Sequence, residues 1–364
     1  MARPQLSRER VSQAADEADF RATSADLFLR DEERRARLDQ VVLPPQRRDA
    51  DDDEPDSMSP PKMVRKFLGV LSPFLYETYV ECADDSWPMG KLVRSGNTFR
   101  NFPYARYATD VTFQQANKPG SNMNEIMRYY SGKHHLYGYK VEVSVLPNGI
   151  AINCTDHKGG RESDIELFRG NSAFHTRALQ KLPNESTLSD GGQLAEAFPT
   201  EWAVLTDKGY QGLANDFRAV HPTKARRLQP LSLAESRRND DISHDRVVVE
   251  NFFGRLKTLW GICADKWKWD EGSYDLFFRA CVALTNTSIR LRPLRDDDGN
   301  LYEKYDARLC EIGTAIMEKE TRKRKRYQAN REARMRTAYR RRTSLSSSYS
   351  YSESDEEETH VGVC

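Results

Sequence analysis

The clearest pattern along the chain is an alternation of apolar and polar residues over 139–145. The turn residues Pro-Asn-Gly follow at 147–149, and a second apolar run covers 150–154. Strict alternation is typical of a strand with one buried face, and Asn-Gly between two such runs is a strong hairpin signal. This part of the sequence therefore predicts a β-hairpin.

Two shorter runs, 107–113 and 203–207, are rich in apolar and β-branched residues and predict two more strands. Each run carries one aspartate: Asp110 lies inside the first run, and Asp207 ends the second. A charge inside an apolar strand is costly unless it has a partner or a metal ion. If the two strands are neighbours in one sheet, their carboxylates can share one ion.

A helical pattern covers residues 245–260, and we expect Asp245 near the start of this helix. The apolar stripe of the helix consists of Val249, Phe252, Phe253, Leu256 and Trp260. At about 100° per residue, Arg246, Glu250 and Lys257 fall within roughly 40° of one another beside that stripe. Strands followed by a further strand and a helix predict an α/β domain with a mixed sheet flanked by helices.

The two ends of the chain differ from its middle in composition. Residues 1–61 are rich in charged residues and proline and predict a disordered arm, and residues 62–103 predict a helical segment. The main folded domain is expected at 104–292. The remainder, 293–364, is expected to be helical and then disordered, with a basic stretch at 322–342 followed by serine-rich and acidic runs.

Composition agrees with one core and charged ends. The 364 residues are 38% hydrophobic and 30% charged, with a mean hydropathy of −0.77 and a net charge of only +1. The 6 cysteines are scattered without Cys-x-x-Cys spacing, which favours a reducing compartment over a disulfide scaffold. Because no apolar run has the length of a signal peptide or a membrane span, we expect a soluble intracellular protein without membrane contact.

Asp110, Asp207 and Glu250 are candidates for one metal site. Two Mg²⁺ ions about 3.5–4 Å apart can activate a nucleophilic oxygen and stabilise a leaving oxygen in phosphodiester chemistry. Mg²⁺ takes only a few carboxylates and fills its other positions with water and phosphate. Each residue also has an ordinary interpretation: Asp207 as a turn residue, and Arg246 with Glu250 as a helical ion pair worth a few tenths of a kcal/mol.

Motifs in the central region occur in the order found in DDE superfamily endonucleases. These motifs are Tyr107–Phe113, Tyr130–His135, Tyr139–Val143, Leu205–Gly212 and Arg246–Lys257. They resemble most closely the PIF/Harbinger-like transposases and their bacterial insertion-sequence relatives, over about half the chain, roughly Tyr104 to Arg292. The last motif is the most specific, because the wider group carries Tyr, Arg, Glu and Lys at fixed spacing around a catalytic Glu; Ser243 occupies the Tyr position here.

The resemblance implies an RNase H-like fold with Asp110, Asp207 and Glu250 as catalytic residues. They would bind Mg²⁺ or Mn²⁺, as two ions. The resemblance also implies a metal-dependent DNA endonuclease and transposase that hydrolyses phosphodiesters and transfers strands at transposon ends. The residues expected to contact DNA are Arg246, Lys257, Lys133, Lys208 and Arg255.

Three further polar residues in the matching region could be read as metal ligands, but each has another interpretation. Asp164 keeps the position of an aspartate that follows a Pro-Gly motif in relatives, and we expect it to cap a helix rather than to serve as a fourth ligand. His134 and His135 are expected at the surface or behind the ligands, and not as zinc ligands, because no cysteine pair accompanies them.

The basic run 322–326 is consistent with nuclear import or phosphate binding, although charge runs are usually only solvated tails. We therefore expect a nuclear protein whose partners are the transposon ends and target DNA. Only the helix near 62–82 hints at a helix-turn-helix unit, so we expect either a truncated copy of the element or, as the resemblance to Harbinger-like systems implies, a separate Myb-like DNA-binding protein as a further partner. Self-association into a homo-oligomer is also expected. The alternatives are a domesticated, catalytically idle binding protein and a nuclease that acts on RNA or hybrids.

Overall fold

The computed structural model describes residues 60–120, 122–225 and 230–349. The chain divides after Met58 into two units, and the first of these lies outside the described residues. The expected arm at 1–61 therefore falls almost wholly outside them, as does the acidic run near the end. Every helix and strand given below belongs to the second unit.

Helices occupy much of the segment before the sheet. They are α1 (Pro60–Tyr76), a π-helical turn (Glu77–Glu81), α2 (Cys82–Ser86) and α3 (Met89–Arg94). The second half of α1 packs against a later helix, and Ser72 Oγ donates a hydrogen bond to Leu276 O at 2.7 Å. Elsewhere α1 leaves apolar side chains such as Phe67 and Val70 exposed.

A mixed sheet of 7 strands forms the centre of the fold. Its strands are β1 (Ala105–Gln115), β2 (Tyr130–Ser131), β3 (Leu136–Val145), β4 (Ala151–Cys154), β5 (Lys158–Gly159), β6 (Ala203–Leu205) and β7 (Ala219–Val220). The order is β2-β3-β1-β6-β7, with β4 and β5 also paired to β3. β3 runs antiparallel to β1 and β4, whereas β6 runs parallel to β1 and β7. This arrangement confirms the predicted RNase H-like mixed sheet.

The predicted hairpin is β3 and β4, joined by a turn in which Gly149 has φ +85°. A side chain at that φ would be strained, which explains why glycine ends the turn. β3 carries the residues that pair with β1, from Ala108 opposite Val145 to Gln115 opposite Gly138. The longest ladder of the sheet is therefore the one that holds the strand of Asp110.

Helices cover the sheet. They are α4 (Met123–Arg128), α5 (Asp164–Gly170), α6 (Ser172–Leu179), α7 (Leu233–Leu259), α8 (Gly261–Ala264), α9 (Tyr274–Leu291) and α10 (Asp298–Tyr349). On α7 the predicted apolar stripe is buried from Val249 to Leu256. The helix begins much earlier than expected, at a capping box in which Ser232 and Glu235 satisfy each other's backbone N–H groups. Asp245 consequently lies within the helix, where it accepts hydrogen bonds from the backbone N–H groups of Asn101 and Phe102.

The last helix, α10, is 52 residues long and differs from the expectation for the tail. It includes the basic stretch at 322–342, which the sequence pattern placed in a disordered segment. Lys, Arg, Glu and Ala all have high helix propensity, and Glu318 forms an i,i+4 ion pair with Arg322. None of the helices in the described part of the chain combines the length and the apolarity that crossing a bilayer requires.

Candidate active site

The register of two parallel strands brings Asp110 and Asp207 together. Ala108 on β1 pairs with Leu205 on β6, and each aspartate lies two residues beyond its paired residue. Because side chains alternate along a strand, equal offsets place both carboxylates at one level and on one face of the sheet. The adjacency that the sequence pattern left as an assumption is thus present.

Arg246 of α7 bridges the two aspartates. Its Nη2 lies 2.8 Å from Asp110 Oδ2, and its Nη1 lies 3.3 Å from Asp207 Oδ1. The side chain of Arg246 is buried, while the side chains of Asp110 and Asp207 are 19% and 45% exposed. The Arg246 Nε has no hydrogen-bond partner among the described residues, so the charge of this guanidinium is compensated mainly by the two carboxylates.

Burial dominates the electrostatics of Asp110. It raises the pKa of the carboxyl to about 6; Arg246 opposes that rise, and the nearby charge of Asp207 adds to it. The backbone N–H of Val111 donates to Asp110 Oδ1 at 2.8 Å, which further favours the ionised form. Arg246 is the cation that helps to keep this carboxylate ionised. A divalent ion could take the place of that cation.

Glu250 follows Arg246 by one helical turn and is half-buried. Burial raises the pKa of its carboxyl, Arg246 lowers it, and Glu303 and Asp207 raise it again. The charge of Arg246 therefore interacts with all three acids. Their oxygens do not all approach within 4.8 Å of one another: among the described residues, the set of possible metal ligands that meets this limit is His134, Asp306 and Cys310.

A comparison with protein-family models matches residues 109–286 to the DDE superfamily endonucleases. The match includes both strands that carry the aspartates and the helix that carries Glu250. Residues 109–286 form a DDE superfamily endonuclease domain. Neither the comparison with curated proteins nor the comparison with solved structures gives a match.

Asp164 of the DDE domain was predicted to cap a helix, but the structure gives that position to its neighbour. Ser163 caps α5, and it forms a capping box with Glu166. Asp164 is the first helical residue, and its Oδ1 accepts a hydrogen bond from Lys140 Nζ at 2.9 Å. The charge of Asp164 also raises the pKa of Asp110, but this effect is smaller than those of burial and of Arg246.

Two of the five predicted DNA-contacting cations are exposed. Lys133 is 68% exposed and pairs with Asp306 at 3.0 Å, and Lys208 is exposed directly after Asp207. Although burial works against its charge, Asp306 raises the pKa of Lys133. Both lysines can meet a phosphate at the edge of the site.

The other predicted cations have internal partners. Lys257 is buried, and its Nζ donates to Cys263 O at 3.0 Å. Burial lowers the pKa of Lys257 to about 8. Arg255 donates to Arg292 O and pairs with Asp298 at 2.7 Å, which ties α7 to α10. These two side chains hold the structure together and present no exposed charge to DNA, and Arg246 contacts the acids themselves.

The contribution of α10 to the surroundings of the site was not predicted from the sequence. Glu303 raises the pKa of Glu250, and the charge of Asp110 adds to the burial that raises the pKa of Tyr302. The available signal was the helical spacing of apolar residues in a segment assigned to the tail; these residues are Tyr302, Tyr305, Leu309 and Ile312. Tyr305 and Ile312 pack on a small cluster formed by Phe113, Leu136 and Leu309.

The donor set fits a hard divalent ion. Asp110, Asp207 and Glu250 offer only carboxylate oxygens, the ligands that Mg²⁺ and Mn²⁺ prefer. The cationic group of Arg246 already lies between two of them, where a positive charge is needed to offset their repulsion. A bound ion would require the third carboxylate to approach and the guanidinium to withdraw.

Proposed function

We propose that this chain is a metal-dependent DNA endonuclease that acts as a transposase. The observation that carries the proposal is the bridge from Arg246 to Asp110 and Asp207, on adjacent parallel strands, with Glu250 one helical turn away. Carboxylates are rarely gathered in this way without a cation to share. The family match supports the same chemistry.

Asp110, Asp207 and Glu250 would hold two Mg²⁺ or Mn²⁺ ions. When bound, such ions activate the attacking oxygen and stabilise the leaving oxygen of the phosphodiester. Before an ion binds, Arg246 bridges the two aspartates and limits their repulsion. In this proposal, the exposed Lys208 and Lys133 bind DNA phosphates near the cleaved bond.

The PIF/Harbinger-like type, strand transfer and action at transposon ends extend this proposal. They rest on the motif resemblance, above all on the spacing of Arg246, Glu250 and Lys257. A Myb-like DNA-binding partner and a homo-oligomer belong to the same extension. The exposed basic stretch of α10, at 322–340, offers a phosphate-binding and nuclear-import surface that agrees with a nuclear location.

A second candidate is a domesticated binding protein that retains the fold without cleavage. The observation that favours it is again Arg246, because this internal cation offsets the charges of Asp110 and Asp207 without any bound ion. A nuclease that acts on RNA or hybrids is a third candidate, since the RNase H-like sheet itself does not select the nucleic acid.

The purified full chain tests these candidates directly. It is incubated with duplex DNA, an RNA–DNA hybrid and single-stranded RNA of one sequence, each with Mg²⁺, Mn²⁺ or a chelator. Metal-dependent cleavage of the duplex supports the proposal. Preferred cleavage of the hybrid or the RNA supports the third candidate, and binding of duplex DNA without any cleavage supports the second.

A further inference from the structure

A second cluster of metal-ligand side chains lies apart from the three acids, where α10 crosses the turn between β2 and β3. His134 Nε2 lies 2.7 Å from Asp306 Oδ1. One ligand atom each from His134, Asp306 and Cys310 all lie within 4.8 Å of one another. Nitrogen, oxygen and sulfur donors are therefore gathered in one place, whereas the proposed catalytic acids offer only oxygen.

A helix positions two of the donors, and burial in a turn positions the third. Asp306 and Cys310 are separated by one turn of α10, so both side chains lie on one face of the helix. The imidazole of His134 is buried and stacks on Phe113 with ring centroids 4.4 Å apart. His134 Nδ1 lies 3.0 Å from Ser131 Oγ, so the ring nitrogen that does not face Asp306 also has a partner.

That second hydrogen bond is characteristic of a metal-binding histidine. A histidine that binds a metal through Nε2 normally donates its Nδ1–H to an oxygen, which fixes the ring and its tautomer. Ser131 Oγ supplies that oxygen here. The close approach of α10 to the β2–β3 turn also depends on glycine at position 313, because a Cβ there would lie 1.8 Å from His134 O.

The donor types select the metal. Zn²⁺ is bound by thiolate, imidazole and carboxylate together, whereas Mg²⁺ prefers oxygen alone. Tetrahedral geometry with ordinary Zn–ligand distances sets N···O at about 3.3 Å and S···N at about 3.6 Å. The His134–Asp306 pair would thus open by about half an ångström. Because Cys310 Sγ lies within 4.8 Å of the other two ligand atoms, it would close by at most about 1.2 Å, and side-chain rotation can supply both movements.

We propose that His134, Asp306 and Cys310 form a Zn²⁺ site that fastens α10 to the DDE domain. On binding, the Cys310 thiol releases its proton to water, and the proton held between His134 Nε2 and Asp306 Oδ1 moves to His134 Nδ1 or to water. The thiolate sulfur and Asp306 Oδ1 then offset the charge of the ion. Lys133 remains paired with Asp306 Oδ2, 3.0 Å away. Lys133 is exposed and Asp306 and Cys310 are half-buried, so water can fill the fourth position.

The site bears on catalysis through the helix and not through the reaction itself. About one turn before Asp306, α10 carries Tyr302, whose pKa is raised by burial and by the nearby charge of Asp110, and Glu303, whose charge adds to the burial that raises the pKa of Glu250. Fastening α10 therefore fixes part of the surroundings of the catalytic acids. The Zn²⁺ site stands independently of the proposed function, because it would form whether or not the protein cleaves DNA.

The test uses the full chain, stripped of metal and titrated with Co²⁺, a spectroscopic substitute for Zn²⁺. We expect one equivalent of Co²⁺ to give a thiolate-to-cobalt charge-transfer band, and Zn²⁺ to abolish that band by displacement. Cys310→Ser should lose the band, and Asp306→Asn should weaken binding at least about tenfold. Cys82→Ser is the matched control, because Cys82 is also half-buried but lies outside the cluster.

Two results would overturn the proposal: no thiolate band in the wild-type chain, or a band that persists in Cys310→Ser. Cobalt binding that lacks the band and disappears in Asp207→Asn would place the ion at the catalytic acids and also count against the Zn²⁺ site. Circular dichroism of each variant shows that it is folded. If Cys310→Ser does not fold, His134→Gln replaces it with the same expected loss of the band.

Discussion

Arg246 and Asp110 form an ion pair of 2.8 Å that joins the middle of α7 to the central strand β1. The pair lies where a divalent ion would be needed, and Asp207 shares the same guanidinium. The protein thus compensates its own acids with an internal cation. The effect of substitutions at Arg246, Asp110 and Asp207 on stability should therefore depend on whether metal is present.

Replacing Arg246 by methionine should destabilise the metal-free protein by about 3 kcal/mol. Removing one partner of a buried pair leaves an uncompensated charge, which typically costs about 3–5 kcal/mol, and the partial exposure of Asp207 reduces this figure. Urea unfolding in a chelator measures the loss. Added Mn²⁺ should restore much of the stability, because the ion replaces the lost cation.

Arg169→Met is the matched control for this variant, since Arg169 forms an exposed pair with Asp216. Its loss should change the free energy of unfolding by less than about 1 kcal/mol, with or without metal. An Arg246→Met variant as stable as the wild type in chelator would show that the guanidinium does not compensate the aspartates.

The pKa of Asp110 predicts a pH dependence of stability. Burial, opposed by Arg246 and reinforced by Asp207, raises this pKa from 3.8 to about 6. Between these values the folded protein holds more protons than the unfolded chain, so stability in chelator should fall as pH rises from about 4 to about 6. The fall is at most about 3 kcal/mol.

Urea unfolding of Asp110→Asn in chelator checks this prediction. The variant should lack the fall between about pH 4 and pH 6, whereas Asp216→Asn, at an exposed position, should keep it. Because a protonated carboxyl binds metal poorly, the affinity of the wild-type chain for Mn²⁺ should also decline below about pH 6. An unchanged profile in Asp110→Asn would assign the pH dependence to another group.

The contact between α7 and α10 depends on a glycine. A Cβ on Gly254 would lie 1.8 Å from the carbonyl oxygen of Asp298, which is backbone and cannot turn away. We expect Gly254→Ala to cost about 3 kcal/mol of stability and to make α10 sensitive to protease. In Gly261→Ala the nearest atom would be 3.9 Å away, and stability should change by less than about 1 kcal/mol. Equal effects of the two substitutions would contradict the close contact.

The sequence pattern predicted the sheet better than it predicted the ends of the helices. Alternation and β-branched runs identified β1, β3, β4 and β6, because these strands face a core on at least one side. The start of α7 was placed too late, since the polar turns between Ser232 and Asp245 carry little apolar signal and the capping box lies far from Glu250.

Contacts between distant parts of the chain were beyond the sequence pattern. The spacing on α7 set Arg246 and Glu250 beside each other, but only the structure shows that Arg246 reaches both aspartates. Likewise, the absence of a cysteine pair close in sequence spoke against His134 as a metal ligand. Cys310 approaches His134 only because α10 folds back over the β2–β3 turn.

The exposed basic stretch of α10 predicts a salt-dependent contribution to DNA binding. Replacing the five basic residues at 322–326 by glutamine keeps helix propensity while removing their charge. Each DNA phosphate that the variant no longer neutralises should reduce the slope of log affinity against log salt by about 0.9, for a total of up to about 4.5. Fluorescence anisotropy with duplex DNA at several salt concentrations measures the slope, and an unchanged slope would show that this stretch does not touch DNA.

The most direct test of the metal-dependent nuclease compares Asp207→Asn with Asp216→Asn on supercoiled plasmid in Mg²⁺ or Mn²⁺. Both positions are at least partly exposed, so both variants should fold, and only Asp207 lies at the Arg246 bridge. We predict that the wild-type chain and Asp216→Asn nick the plasmid, and that Asp207→Asn loses at least about 99% of this activity. Nicking by Asp207→Asn at the wild-type rate would contradict the assignment of the active site.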